Sequence, residues 1–102
     1  MKSKSSALSS LEFQTFIKGA KNLGVPKLVI GARGKLSTFT SWRNAVLDWM
    51  AAYSVNYDSL ANECKRTVGR QSLDSSLYEQ LEREQLFTGS WEKLVQRLTK
   101  EL

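Results

Sequence analysis

From Trp42 to Leu102 apolar residues return every third or fourth position, and that interval leaves little choice of architecture. Such spacing lines up one side of a helix, whereas a half-buried strand needs alternate positions. Trp42, Ala45, Val46, Trp49, Met50 and Tyr53 make a first stripe, for a helix predicted to begin at Thr40 or Ser41. A second helix, starting at Asn56 or Asp58, places Leu60, Ala61, Cys64 and Val68 inward and is predicted to stop at Gly69. Ser72 then opens a helix carrying Leu73, Leu77, Leu81 and Leu86, with Thr88-Gly89 as its terminator. The last starts near Ser90 and shows Trp91, Leu94, Val95, Leu98 and Leu102 on one side.

Ahead of this region the signals are local ones. Ser9 and Glu12 have capping-box spacing, and Leu8 and Phe13 are placed to staple across the cap, which predicts a first helix over residues 9–24. Phe13, Phe16, Ile17, Ala20 and Leu23 share its apolar side; Gly24 closes it and Pro26 bars continuation. Residues 27–37, containing LVIGARGKL, read as a short extended segment or hairpin, and residues 1–8 as a mobile basic arm. The expectation is an all-α fold: a compact bundle of about five short helices in a single domain over residues 9–102, with four of them in residues 40–102. At 102 residues the chain is long enough for one core. The final helix runs to the last residue without a C-cap, as in a domain cut from a longer protein.

Chemistry is scarce in this inventory. There is no histidine and only one cysteine, Cys64, so disulfide frameworks and the usual zinc, copper or haem ligand sets are missing, along with the side chain that titrates nearest neutral pH. The reading is therefore non-enzymatic, with no cofactor and no small-molecule substrate. No apolar run approaches the roughly 18 residues of a membrane span and no signal-peptide pattern appears, so a cytoplasmic or nuclear protein without a membrane partner is expected.

Charge is placed unevenly. Through Arg43 there are eight basic residues and one acidic residue, Glu12, for a net +7; beyond it seven basic and nine acidic residues give −2. Lys2, Lys4, Lys18, Lys21, Lys27, Arg33, Lys35 and Arg43 are thus the candidate contacts to RNA or DNA. The Gly31-Ala-Arg-Gly34 stretch resembles the G-x-x-G loop of KH domains, but Ser37 stands where an apolar residue is usual and residues 40–102 are helix-patterned, so a structural turn is the preferred reading. A helix-turn-helix centred on Gly69 is disfavoured because its second helix carries Asp74, Glu79, Glu82 and Glu84, which would face phosphates. The three tryptophans read as core rather than as base-stacking platforms.

The order of features from Phe39 to Leu102 resembles the N-terminal lobe of the capsid domain in LTR-retrotransposon Gag proteins and their domesticated, Arc-like relatives. An extended segment is followed by TSWRNAVLDWM, by YDSLANECKRTVG ending at glycine, by SLYEQLEREQLF, and by the close TGSWEKLVQRLTKEL, where a small polar residue precedes a tryptophan and leucines at helical spacing. The helix at residues 9–23 is additional to that pattern. The resemblance implies an assembly domain that self-associates into rings or shells, with Tyr53, Tyr57, Tyr78 and Phe87 as candidate contacts between copies and a basic front able to attract RNA. A small helical nucleic-acid-binding regulator of viral or mobile-element origin is the alternative, and a protein-binding adaptor or inhibitor the third.

Overall fold

Ser9 starts the first helix as its spacing requires. In the computed structural model, which describes residues 9–29 and 35–101, its hydroxyl accepts from the Glu12 N–H at 3.2 Å and Glu12 Oε1 accepts from the Ser9 N–H at 3.0 Å. The helix, α1 (Ser10–Asn22), ends in a Schellman turn: Gly24 takes φ +71°, its N–H donates to the Lys21 carbonyl at 3.1 Å, and the Val25 N–H donates to Ala20 at 2.9 Å. Leu8, the outer half of the expected staple, lies outside the described residues, as do the arm, residues 30–34 with the glycine turn, and Leu102.

Four more helices follow, α2 (Lys35–Ala52), α3 (Asn62–Ser72), α4 (Ser75–Arg83) and α5 (Trp91–Thr99), with single 3-10 turns at Tyr57–Ser59 and Leu86–Thr88. The fold is all-α, and among the described residues the only β feature is one parallel bridge between Leu28 and Leu73. In it the Leu28 N–H donates to the Ser72 carbonyl at 3.1 Å and the Asp74 N–H donates to Leu28 at 2.9 Å. The linker after α1 is thereby pinned to the α3–α4 junction, while residues 30–34, the middle of the segment read as extended or hairpin over residues 27–37, lie outside the described residues.

Several boundaries differ from the sequence reading: α3 starts at Asn62, after a 3-10 turn at Tyr57–Ser59, rather than at Asn56 or Asp58; α4 ends at Arg83, before a second 3-10 turn, rather than at Thr88-Gly89; and three others have a local cause. Lys35, Leu36 and Ser37 are helical, not extended, because the buried Phe39 shares the inner side of α2 with Trp42 and Val46 and stacks at 6.0 Å on the Trp42 ring. Gly69 lies inside α3 and does not end it; the Phe87 ring fills the space where a side chain would stand, so a Cβ there would be 2.6 Å from Phe87 Cε1. Ser72 closes α3, its hydroxyl donating to the Val68 carbonyl at 2.8 Å, and Asp74 caps α4 by accepting from the Ser76 N–H at 3.1 Å.

The dry interior comes from every helix: Phe16 from α1, Trp42, Val46 and Trp49 from α2, Val68 from α3, Leu77 and Leu81 from α4, and Leu94 and Leu98 from α5. α1 packs on both α2 and α3, so the first helix is part of the same core.

Candidate functional site

Four aromatic rings form a chain through the middle of the molecule. Phe39 stacks on Trp42, Trp42 lies 5.6 Å from Trp91, and Trp91 lies 5.2 Å from Tyr57. The start of α5 is held at this point from three directions. Asp58 Oδ1 accepts from the Trp91 N–H at 2.7 Å, Ser90 Oγ accepts from the Lys93 N–H at 3.3 Å, and Lys65 Nζ donates to the Gly89 carbonyl at 3.0 Å. Lys65 is only 6% exposed; its ammonium also stands 5.3 Å from the centroid of the Tyr57 ring.

Trp91 is half-buried, and its outer edge helps to floor an open groove of about 520 Å³ between α2 and α5. Leu47 (42% exposed) and the half-buried Val95 line it as well, together with Arg43 and Asn44 from α2 and Glu92 and Gln96 from α5. Past Leu47 it runs into a hollow of about 190 Å³ beside Met50, Val55 and Tyr57. Sequence spacing points Trp91 and Val95 inward and does not single out Leu47, which falls outside the stripe through Trp42, Val46, Trp49 and Met50. Its adjacency to Val46, widening the apolar side of α2, was the available signal.

The aromatics expected as contacts between copies divide differently. Tyr57 (4% exposed) and Phe87 (1% exposed) are core residues, so burial removes both from any surface. Tyr53 is half-buried and meets Phe16 edge-on at 5.6 Å. Tyr78 stacks at 5.0 Å on Phe87, donates its hydroxyl hydrogen to Glu82 at 3.1 Å and accepts from Arg70 at 3.0 Å, leaving little of it unused.

Of the candidate basic residues, Lys18 and Lys21 on α1 and Lys27 after it are exposed. Lys27 lines a cleft of about 310 Å³ together with Arg70 and Tyr78. Arg43 belongs to the α2–α5 groove, its guanidinium 5.9 Å from the Phe39 ring centroid. Lys2, Lys4 and Arg33 lie outside the described residues, and Lys35 is described by its backbone alone. Among the described residues every ion pair falls on the back half of the chain: Arg66 with Glu63 and Glu82, and Arg97 with Glu84 and Glu101. Glu82 and Glu84 therefore tie α4 to α3 and α5. The Arg97 guanidinium, bonding Glu84 at 2.6 and 2.8 Å, holds the Glu84 carboxyl below its ordinary range.

No family model, curated protein or solved structure matches this chain. Its own geometry has to suggest what it does. Cys64 is buried, and burial followed by the nearby Glu63 charge pushes its thiol up, away from the reactive thiolate. Among the described residues no three His, Cys, Asp or Glu side chains gather as a metal-binding group, and no helix is long and apolar enough to cross a membrane. α3 and α4 do form a helix pair, but it turns at Leu73-Asp74, and α4 begins at an aspartate cap that a phosphate would have to approach. Among the described residues, the surfaces with something to offer a macromolecule are the groove around Leu47 and Trp91, the cleft of about 310 Å³ where the exposed Leu11 lies beside Phe16 and Tyr53, and the lysines of α1 and its linker.

Proposed function

We propose that this chain is a non-enzymatic, Gag-like assembly domain that self-associates in the cytoplasm or nucleus and draws RNA to its basic front by charge. The observation that carries the first half is the groove between α2 and α5, where Leu47, Trp91 and Val95 stay partly open to water among the polar side chains of Arg43, Asn44, Glu92 and Gln96. Weak, repeated burial of such a surface is the kind of contact that closes rings by symmetry. Sedimentation velocity over a concentration series, without nucleic acid, tests it. The weight-average mass is expected to rise with concentration above the 11.5 kDa of one chain, and a mass fixed at one chain throughout overturns the reading.

A nucleic-acid-binding regulator is the second reading, favoured by Lys18, Lys21 and Lys27, which are exposed and outside every ion pair among the described residues. Binding through phosphates weakens with salt by a log–log slope of about 0.7 per contact on single strands and about 0.9 on duplex. Replacing the three lysines by glutamine is expected to lower RNA affinity and flatten that slope while leaving self-association intact. Unchanged affinity removes this front from the binding surface.

A further inference from the structure

Self-association asks for a surface that fits itself, and the α2–α5 groove has the pattern such a surface needs. Its lining joins the apolar Leu47, Trp91 and Val95 to the polar Asn44 and Gln96, and carries opposite charges on different helices, Arg43 on α2 and Glu92 on α5. Among the described residues neither belongs to an ion pair. The rings of Trp42 on α2 and Trp91 on α5 lie 5.6 Å apart, and the residues that follow them, Arg43 and Glu92, both line the groove. A two-fold axis running along the groove exchanges its walls, so the α2 wall of one copy lies on the α5 wall of the other.

Resting on the self-association reading above, we propose that two copies of this chain meet groove to groove about such an axis, with Arg43 of each copy paired to Glu92 of the other over a shared floor of Leu47, Trp91 and Val95. In this contact residue i meets j and j meets i, which is the rule for an isologous interface. The charges select the partner and the register, and the apolar side chains supply most of the affinity. A second copy suits the groove better than an unrelated acidic or basic partner, since either of those would leave one wall facing a like or unpaired charge. The overall charge of +5 opposes any meeting of copies, so the contact is a weak one that local complementarity has to direct.

The test is a charge exchange read by sedimentation. Arg43→Glu alone puts two carboxylates at each of the two contacts, and Glu92→Arg alone puts two guanidiniums there; an equimolar mixture of the variants restores opposite charges at both. Each variant alone is expected to associate at least tenfold more weakly than the unsubstituted chain, and the mixture to return to within about threefold of it. Arg43 is half-buried and Glu92 exposed, so circular dichroism is recorded alongside; if either charge reversal disturbs the helices, Arg43→Gln and Glu92→Gln take their place, each expected to weaken association alone and to recover part of it on mixing, because the mixed dimer regains one of the two Arg43–Glu92 pairs. If the unsubstituted chain associates and the variants alone associate equally well, or if both are weakened and the mixture of charge reversals stays so, this interface is wrong and the self-association reading stands. If the unsubstituted chain never associates, that reading falls and takes the interface with it.

Discussion

Trp49 donates its indole N–H to the Phe16 carbonyl at 2.7 Å while its ring lies 4.3 Å from the Phe16 ring and 10° from parallel. One side chain of α2 thus holds α1 by stacking and by a buried hydrogen bond at once. Replacing Trp49 by Phe keeps an aromatic ring but removes the donor and part of the buried volume. The expected cost is about 2 kcal/mol, from the lost bond and the space left behind. Denaturant unfolding measures it, and a loss below about 0.5 kcal/mol would show that α1 is not anchored in this way.

Gly69 sets two effects against each other. Alanine in a helix interior gains about 1 kcal/mol over glycine from backbone entropy. Here, though, a Cβ would stand 2.6 Å from Phe87 Cε1 and 3.2 Å from Tyr78 Cδ1, and the Phe87 ring is fully enclosed, so it has nowhere to retreat. Overpacking of this kind costs about 1–3 kcal/mol and is expected to win. Gly69→Ala should lower stability by about 1 kcal/mol, and trimming the ring with Phe87→Leu should make the same substitution less costly, a coupling that a double-mutant cycle reads directly. Simple additivity of the two changes would deny the contact.

Tyr57 gives the molecule an alkaline weakness. Burial chiefly, and the neighbouring Asp58 charge in addition, hold its phenol well above the ordinary tyrosine range. A folded-state pKa raised in this way contributes stability that is complete below the unfolded value of about 10 and is lost as pH climbs above it. The melting temperature should therefore fall between pH 9 and 11 more steeply in the unsubstituted chain than in Tyr57→Phe. At pH 7 the same substitution removes a buried hydroxyl with no hydrogen-bond partner among the described residues, and should be neutral or stabilising by up to about 1 kcal/mol. Parallel pH profiles for the two proteins would contradict the buried placement.

The helices were legible in the sequence because their stripes are local: Trp42, Val46 and Trp49 identify α2, and Leu94 and Leu98 identify α5, with no knowledge of what they touch. The capping box at Ser9 and the left-handed Gly24 were legible for the same reason. What escaped was set by distant partners. Gly69 reads as a stop until Phe87, eighteen positions on, is seen to need its bare backbone. Residues 35–37 read as extended until Phe39 is seen inside and α2 is found to begin at Lys35. Asp58 reads as the start of a helix, whereas its carboxylate caps α5, thirty-three residues away. The same limit applied to surfaces. Tyr57 and Phe87 look spare because spacing alone does not tell a filled core from a surplus aromatic, and Leu47 is not singled out because it stands one position off its stripe.

The central claim is that another copy docks on the α2–α5 groove. Amide hydrogen exchange, measured on the unsubstituted chain at low and at high protein concentration without nucleic acid, tests it most directly. Concentration should slow exchange in peptides covering residues 43–47 and 91–96 and leave α1 and α3 unchanged. Slowing confined to α1 or α3, or no dependence on concentration anywhere, would contradict it.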